Sequence, residues 1–572
     1  MAAACRFGLL HGENNLALTG STMHRNLSSI GSLSGIMWNS KLPGTTGVAK
    51  RGIFSITTTS QVRSYGSNSR DEAARAPSSL SVTQKGRYTR GLNVKDEERP
   101  SRSRITVPQM TRTGRSETLT KYYATCAPGL EKVLAAELSS PLISAQEVEE
   151  GSAGVSFVGT KVTGYKANLW LRTAVRVLVQ LAAGPLPLGR GQYDPVYMFV
   201  REAVDWPSLL VDESSEQYGR RESSGDREDV LPSSRARPAT RASPQGYKFR
   251  NFVVQSRVWS CTDISSSEFA TLRAKDAICD SVRDACGGNR PEPPEKGVVV
   301  DVPLFLSLYR DTAVLYRDLS GVSLHKRGYR DVMHKASLNE GIAAACLTIT
   351  GWNPAVAGFG DANKNALQKE RVLLDPMCGS GTFLIEAALM ASNFAPGLLR
   401  RQWPFQAWHD FDQSAWKQCK DAALSAQLSS VPGVRLLGND IHEGALSLCK
   451  KDAKTAGVLH LLELSCEDCQ NYEPPVVPSL VVTNPPWGTR LTDEFSDGES
   501  EWLHATWQSL GRFLKEHCSL ADVYVLSGNA EVTRAMHMRA DKKWPVTVGG
   551  QERKLLHYHV LPPKARSEPI RQ

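Results

Sequence analysis

The sequence predicts an α/β domain with a doubly wound, mostly parallel sheet, preceded by a smaller α+β region. Three stretches carry that expectation. Arg371 to Glu386 reads RVLLDPMCGSGTFLIE: an apolar run ends at Asp375, a turn of small residues holds Gly379 and Gly381, and an apolar helical pattern runs from Phe383 through Ala391. Strand, glycine turn and helix in that order open a doubly wound sheet. Ser479 to Arg490 reads SLVVTNPPWGTR, a buried-strand pattern stopped by two prolines that lack the N–H a continuing ladder needs. Residues 545–561 (PVTVGGQERKLLHYHVL) fit a closing hairpin with Gly549-Gly550 at its turn.

Length and composition set the outer bounds. With 572 residues the chain has room for two or three domains, and 41% hydrophobic residues is ordinary for a globular protein. No run approaches the roughly 18 apolar residues of a membrane span, so no membrane partner is expected. Cys466 and Cys469 form a lone CxxC without a second pair at metal-finger spacing. They read as reduced, structural thiols, and no metal site is expected. Residues 1–120 hold 17 Lys and Arg against 7 Asp and Glu, whereas the remainder is balanced to within one charge. The net charge of +9 therefore belongs to the leader and linker. It is no argument for nucleic-acid binding by the body.

In chain order, residues 1–70 contain seven basic residues and one acidic one, Glu13, among many Ser, Thr, Gly and Ala. This is the composition of an organelle transit peptide, with mitochondrion favoured over chloroplast by Arg63-Ser64-Tyr65; a retained basic tail is the other reading. Residues 71–118 are polar, aperiodic linker. Order is expected from Leu119, with strands at 122–126 and 154–158 and a helix over 130–138. A long amphipathic helix is expected over 164–182, placing Arg172 and Arg176 on successive turns, as a solvated face or an RNA contact. Residues 212–247 read as a disordered surface insertion. Beyond it order resumes over 249–258, with a helix near 267–286 and strands near 297–303 and 312–319. Residues 322–330 (VSLHKRGYR) contain His325, Lys326, Arg327 and Arg330, a basic cluster equally suited to interdomain ion pairs and to phosphate; a helix over 335–345 is expected to follow.

The chemistry lies at two strand ends. DxxxGxG differs from the GxGxxG of dinucleotide folds, and an acidic strand end suits a ligand with an amino group better than a pyrophosphate. S-adenosylmethionine is such a ligand; a plain strand-to-helix turn is the alternative. At the second strand end the Asn484 amide and the Pro485 carbonyl can accept hydrogen bonds from an exocyclic amine. Trp487 offers a flat face to a flipped-out base, or is an ordinary core aromatic.

Together these two stretches resemble the amino-methylating class of S-adenosylmethionine-dependent methyltransferases, with a Rossmann-like seven-stranded sheet. Residues 119–321 look like a ferredoxin-like subdomain plus a THUMP domain, which in that family holds RNA. Residues 322–572 look like the methyltransferase domain. The whole is similar to the first methyltransferase half of bacterial large-subunit ribosomal RNA guanine-N2 methyltransferases, and the chain ends too soon for a second such half. The resemblance implies Asp375, Gly379 and Gly381 at the methionine end of the cofactor and Asn484, Pro485 and Trp487 at the acceptor amine. Asp440, after a strand over 434–439, suits the ribose hydroxyls, or else caps a helix over 443–456. Its distance from Asp375 reflects an insertion over about 392–433, anchored by Trp403, Trp408 and Trp416. Asp468, just past a strand over 461–465, suits the adenine amine, or else closes a turn. Three functions compete. One is methylation of a guanine N2 in organellar ribosomal RNA, another the same chemistry on transfer RNA or on an adenine N6. The third is a non-catalytic RNA-binding assembly factor.

Overall fold

The computed structural model describes residues 118–186, 194–212, 247–294, 298–331, 337–352, 370–488 and 497–562. The leader, the linker up to 117 and the insertion from 213 to 246 lie outside the described residues. Among those described, no helix is long and apolar enough to cross a membrane.

The first sheet is built from β1 (Thr120–Thr125), β2 (Gln146–Gly151), β3 (Gly154–Gly159), β4 (Arg176–Pro185), β5 (Phe252–Trp259), β6 (Val302–Tyr309) and β7 (Thr312–Asp318). The strands lie in the order β2-β3-β1-β4-β7-β6-β5. All neighbours are antiparallel except β5 and β6. Helices α1 (Glu131–Leu138), α2 (Lys161–Trp170), α3 (Pro195–Ala203), α4 (Trp206–Leu210) and α5 (Ser267–Ala285) complete this half. Val211 bridges Phe249, so the chain leaves for the insertion and resumes beside itself.

Here the structure corrects the expected helix over 164–182. The helix stops at Trp170, and Arg176–Pro185 is a central strand paired with both β1 and β7. Val175, Val177 and Val179 are β-branched at alternate positions, which suits a pleated strand between two neighbours. Arg172 and Arg176 consequently share no helix face. Arg172 donates to the Phe394 carbonyl at 2.8 Å, and Arg176 pairs with Asp318 on β7. The strand expected near 297–303 runs instead over Val302–Tyr309, where alternate residues are buried. Strand β2 (QEVEEG) is almost wholly exposed and had no apolar alternation to announce it.

The second sheet contains β8 (Arg371–Asp375), β9 (Val434–Asn439), β10 (Leu462–Ser465), β11 (Leu480–Thr483), β12 (Asp522–Ser527), β13 (Lys542–Val548) and β14 (Gln551–His559). Their order is β10-β9-β8-β11-β12-β14-β13. The first five are parallel, and β14 runs antiparallel to β12. This is the expected seven-stranded sheet, with the hairpin at its end. The interleaved helices are α6 (Glu340–Ile349), α7 (Thr382–Ala391), α8 (Gln413–Ser425), α9 (Glu443–Thr455), α10 (Asp497–His517) and α11 (Ala530–Arg534). Helix α6 starts five residues later than expected because Asn339 caps it, accepting from the N–H groups of Gly341 and Ile342. All ten residues of α7 are buried, as an apolar-all-round helix requires.

The segment between α7 and β9 joins the halves. Phe405 and Trp416 pack on Tyr165 of α2 at 4.9 and 5.6 Å between ring centroids. Arg317 of β7 lies over the Trp408 ring and pairs with Asp410 at 3.1 Å. The expected tryptophan-anchored insertion is therefore an interdomain wedge.

Candidate active site

In the second sheet the chain winds outward in both directions from β8 and β11. Ligands of such sheets bind at the carboxyl ends of the strands at this reversal. Leu373 and Leu374 of β8 pair with Leu480 and Val481 of β11, so Asp375 and Asn484 lie at neighbouring strand ends. The topology thus brings the two motifs together although about a hundred positions separate them.

Asp375 is 1% exposed and accepts a hydrogen bond from Met377 N–H at 3.2 Å. Burial pushes its carboxyl up to about 7. A carboxyl held there ionises readily when a cationic group arrives, which fits a ligand ammonium. The two glycines differ in function. Gly379 has a φ of 54°, and the space a Cβ would enter is open, leaving its backbone approachable. Gly381 has a φ of 73° and caps α7; a Cβ there would lie 2.2 Å from Cys449 Sγ on α9. Helix packing thus requires a bare Cα there. Cys378 is buried, and burial raises its thiol well above the ordinary range, so it is neutral filler.

Asp440 braces this turn. Its Oδ2 accepts from Gly379 N–H at 2.7 Å and its Oδ1 from His442 N–H at 2.9 Å. The residue at the N-cap of α9 is His442, so Asp440 is not the cap of that helix. Fully buried Asn439, which no motif singles out, ties three strand ends together. Its amide donates to the Pro376 and Glu467 carbonyls and accepts from Glu467 N–H. Asp468 closes a turn: Oδ1 accepts from Gln470 N–H at 3.0 Å, and its carbonyl accepts from Asn471 and Tyr472.

At the second motif, Asn484 Oδ1 is buried and has no hydrogen-bond partner among the described residues. A buried acceptor without a donor costs about 1–3 kcal/mol, so this atom invites one. Pro485 is buried beside it, and the Pro486 carbonyl accepts from Trp507 Nε1 at 2.8 Å, which fixes the loop to α10. Trp487 is half-buried. Its Nε1 donates to the Leu526 carbonyl at 2.9 Å, and the Arg553 guanidinium lies 4.9 Å from its ring centre. The indole is a fixed wall with one face under a cation.

By sequence Arg330 suits ion pairing and phosphate contact equally; the geometry is that of ion pairing. It bonds Glu340 and Asp452, each at 3.3 Å, and reaches Ser380 Oγ at 3.3 Å and Thr382 Oγ1 inside the glycine turn. Arg327, 2% exposed, pairs with fully buried Glu386 of α7 at 3.4 Å, and Tyr329 OH donates to the same carboxylate. The sequence signal was there: two arginines flanking Gly-Tyr next to a domain junction, with Glu386 an acidic residue in an otherwise apolar helix.

Comparison with known proteins agrees with this architecture. Residues 362–556 match the family described as RMKL-like, methyltransferase domain, and residues 121–178 match the RlmL ferredoxin-like domain. A Synechocystis protein named as a candidate RNA methyltransferase, slr0064, is 29% identical over 448 residues, covering 78% of this chain and 98% of its own length. A ribosomal RNA large subunit methyltransferase K/L of Syntrophotalea carbinolica is 33% identical over 77% of this chain and 53% of its own. The chain thus spans about half the length of the K/L relatives it matches. A solved structure from Listeria monocytogenes, described as a predicted N6-adenine-specific DNA methylase, superposes with a TM-score of 0.59 at 24% identity, covering 77% of this chain and 97% of its own. The order of the two matches, an RlmL-type ferredoxin-like domain followed by an RMKL-like methyltransferase domain, is the order of the two sheets.

Proposed function

We propose that the protein is an S-adenosylmethionine-dependent RNA methyltransferase that modifies the exocyclic N2 amine of a guanine in large-subunit ribosomal RNA. The observation that carries this reading is the buried Asn484 Oδ1, unpartnered among the described residues, at the strand end beside Asp375. The ribosomal class is the one in the names of the K/L relatives. The Asn-Pro-Pro-Trp motif serves any exocyclic amine, so the guanine-N2 target rests on the whole-chain resemblance to guanine-N2 methyltransferases.

The residues fit the cofactor: an open Gly379 backbone, a buried carboxyl at the β8 end, and an acidic group at the β9 end. Asp375 would hold the ammonium of the methionine end, Gly379 would admit close approach, and Asp440 and Asp468 would face the ribose and adenine. When bound, S-adenosylmethionine supplies an already activated sulfonium methyl. The chain's own contribution is positioning. Asn484 Oδ1 and the Pro485 carbonyl accept the amine N–H groups, which turns the nitrogen lone pair away from conjugation with the base and towards the methyl. Trp487 walls the base. Methyl transfer from labelled cofactor to unmodified ribosomal RNA, followed by mass spectrometry of the nucleosides, tests the reading; a product other than N2-methylguanosine would reassign the target. Residues 1–70 are proposed to carry the protein into an organelle, the mitochondrion first.

A further inference from the structure

The first sheet has one face packed by helices and one face that carries aromatic residues to the surface. Along β6 the even positions Val302, Leu304, Leu306 and Leu308 are buried, while Phe305 and Ser307 are half-buried and Tyr309 is exposed. On β5, Ser256 bonds Ser267 and Thr271 of α5, so Arg257 and Trp259 point to the opposite face. Trp259 pairs with Tyr309 across the two parallel strands, and their rings lie 5.4 Å apart. They are 37% and 39% exposed. Arg257 sits 5.5 Å from the Trp259 ring centre and Arg310 sits 5.1 Å from that of Tyr309.

This arrangement is held in place. Arg310 and Asp311 form the two-residue turn between β6 and β7 with φ of 46° and 57°, where Asn-Gly would be strain-free. Arg310 is thereby set against Tyr309. The Asp311 carboxylate accepts from Thr262 N–H at 2.8 Å and from its hydroxyl at 2.6 Å, tying the loop after Trp259 to the turn after Tyr309. That carboxylate is engaged rather than presented to a ligand.

We infer that Arg257, Trp259, Tyr309 and Arg310 form a stacking platform for an unpaired base of the RNA, with the two guanidinium groups taking its phosphates. Two adjacent rings accept the π-face of any base, and arginines beside them match the charge of the backbone. An acidic peptide would satisfy the arginines but leave two rings in water. The platform lies on the first sheet, so it acts on capture of the RNA and not on the methyl transfer, and it rests on the reading that the substrate is RNA.

The test uses the full chain, a short single-stranded RNA, and the same RNA with abasic sites. Trp259→Ala combined with Tyr309→Ala should weaken binding of the base-bearing RNA by about 5- to 100-fold, while the abasic RNA, already weak, changes little. Trp259→Phe should keep most of the affinity. Methyl transfer at saturating ribosomal RNA should keep its kcat while KM rises. Unchanged RNA affinity in the folded double variant, with wild-type protein still methylating RNA, overturns the platform alone. Equal losses on base-bearing and abasic RNA also overturn it, since stacking would then not be involved. A wild-type protein that binds neither RNA overturns the RNA reading itself.

Discussion

Arg330 of the segment between the halves donates to Ser380 Oγ, at 3.3 Å, inside the glycine turn that ends β8. The same guanidinium is anchored on Glu340 and Asp452. The shape of the proposed cofactor turn is thus set from outside the doubly wound sheet, by a residue whose planar fork reaches four side chains.

Arg330→Ala would leave Glu340, 2% exposed, without its cation, and breaking a buried pair in this way costs about 3–5 kcal/mol. Arg330→Lys keeps the charge but not the fork. Chemical denaturation should show a large loss for alanine and a smaller one for lysine. The lysine variant, while folded, should bind S-adenosylmethionine more weakly than wild type. Equal stability of alanine variant and wild type would contradict the network.

The two glycines should separate in their effects. Gly381→Ala places a Cβ against Cys449 Sγ at a left-handed φ, so stability should fall by about 1–3 kcal/mol, in part restored by Cys449→Ala. Gly379→Ala meets open space, so it should cost only about 1 kcal/mol of backbone strain yet weaken cofactor binding. Thermal melts beside calorimetric binding distinguish them. The reverse pattern would exchange the functions assigned here.

Burial raises the Asp375 carboxyl to about 7, so the ligand-free protein favours the protonated form below that pH. A ligand ammonium needs the ionised form. Affinity for S-adenosylmethionine should therefore rise as pH increases through about 7 and level off above it. In Asp375→Asn the affinity should be lower, by roughly tenfold or more, and flat with pH over the same range. Calorimetry across the range checks both, and a pH-independent wild type would count against Asp375 as the ammonium partner.

A reporter fused to residues 1–70 should enter an organelle, because the stretch is basic and nearly free of acidic residues. Fluorescence confined to the cytosol would remove the organelle assignment and leave the proposed chemistry untouched.

The second sheet was legible because each of its central strands is a short apolar run stopped by a polar or proline signal. RVLLD, VRLLGND and SLVVTNPP announce both strand and end. The first sheet was less legible. β4 follows α2 after five residues, and its RVLVQLA reads with helical period as easily as with strand period until pairing with β1 and β7 decides. Strand β2 has no apolar face to read. At the site, Asp375 and Asn484 could be named from sequence. Asn439 acts through contacts 28 and 63 positions away, which no local pattern records, and the partners of Arg330 at Ser380 and Asp452 lie 50 and 122 positions on. That helix packing requires Gly381 to lack a Cβ was not legible, because its neighbour Cys449 lies on another helix.

The proposed chemistry puts the acceptor amine at Asn484. Its most direct test is methyl transfer from labelled S-adenosylmethionine to unmodified ribosomal RNA by Asn484→Ala, with filter binding and cofactor calorimetry on the same samples. Turnover should fall by at least about a hundredfold, the scale of removing one transition-state hydrogen-bond partner, while RNA and cofactor affinities hold. Methylation at the wild-type rate would place the amine elsewhere and contradict it.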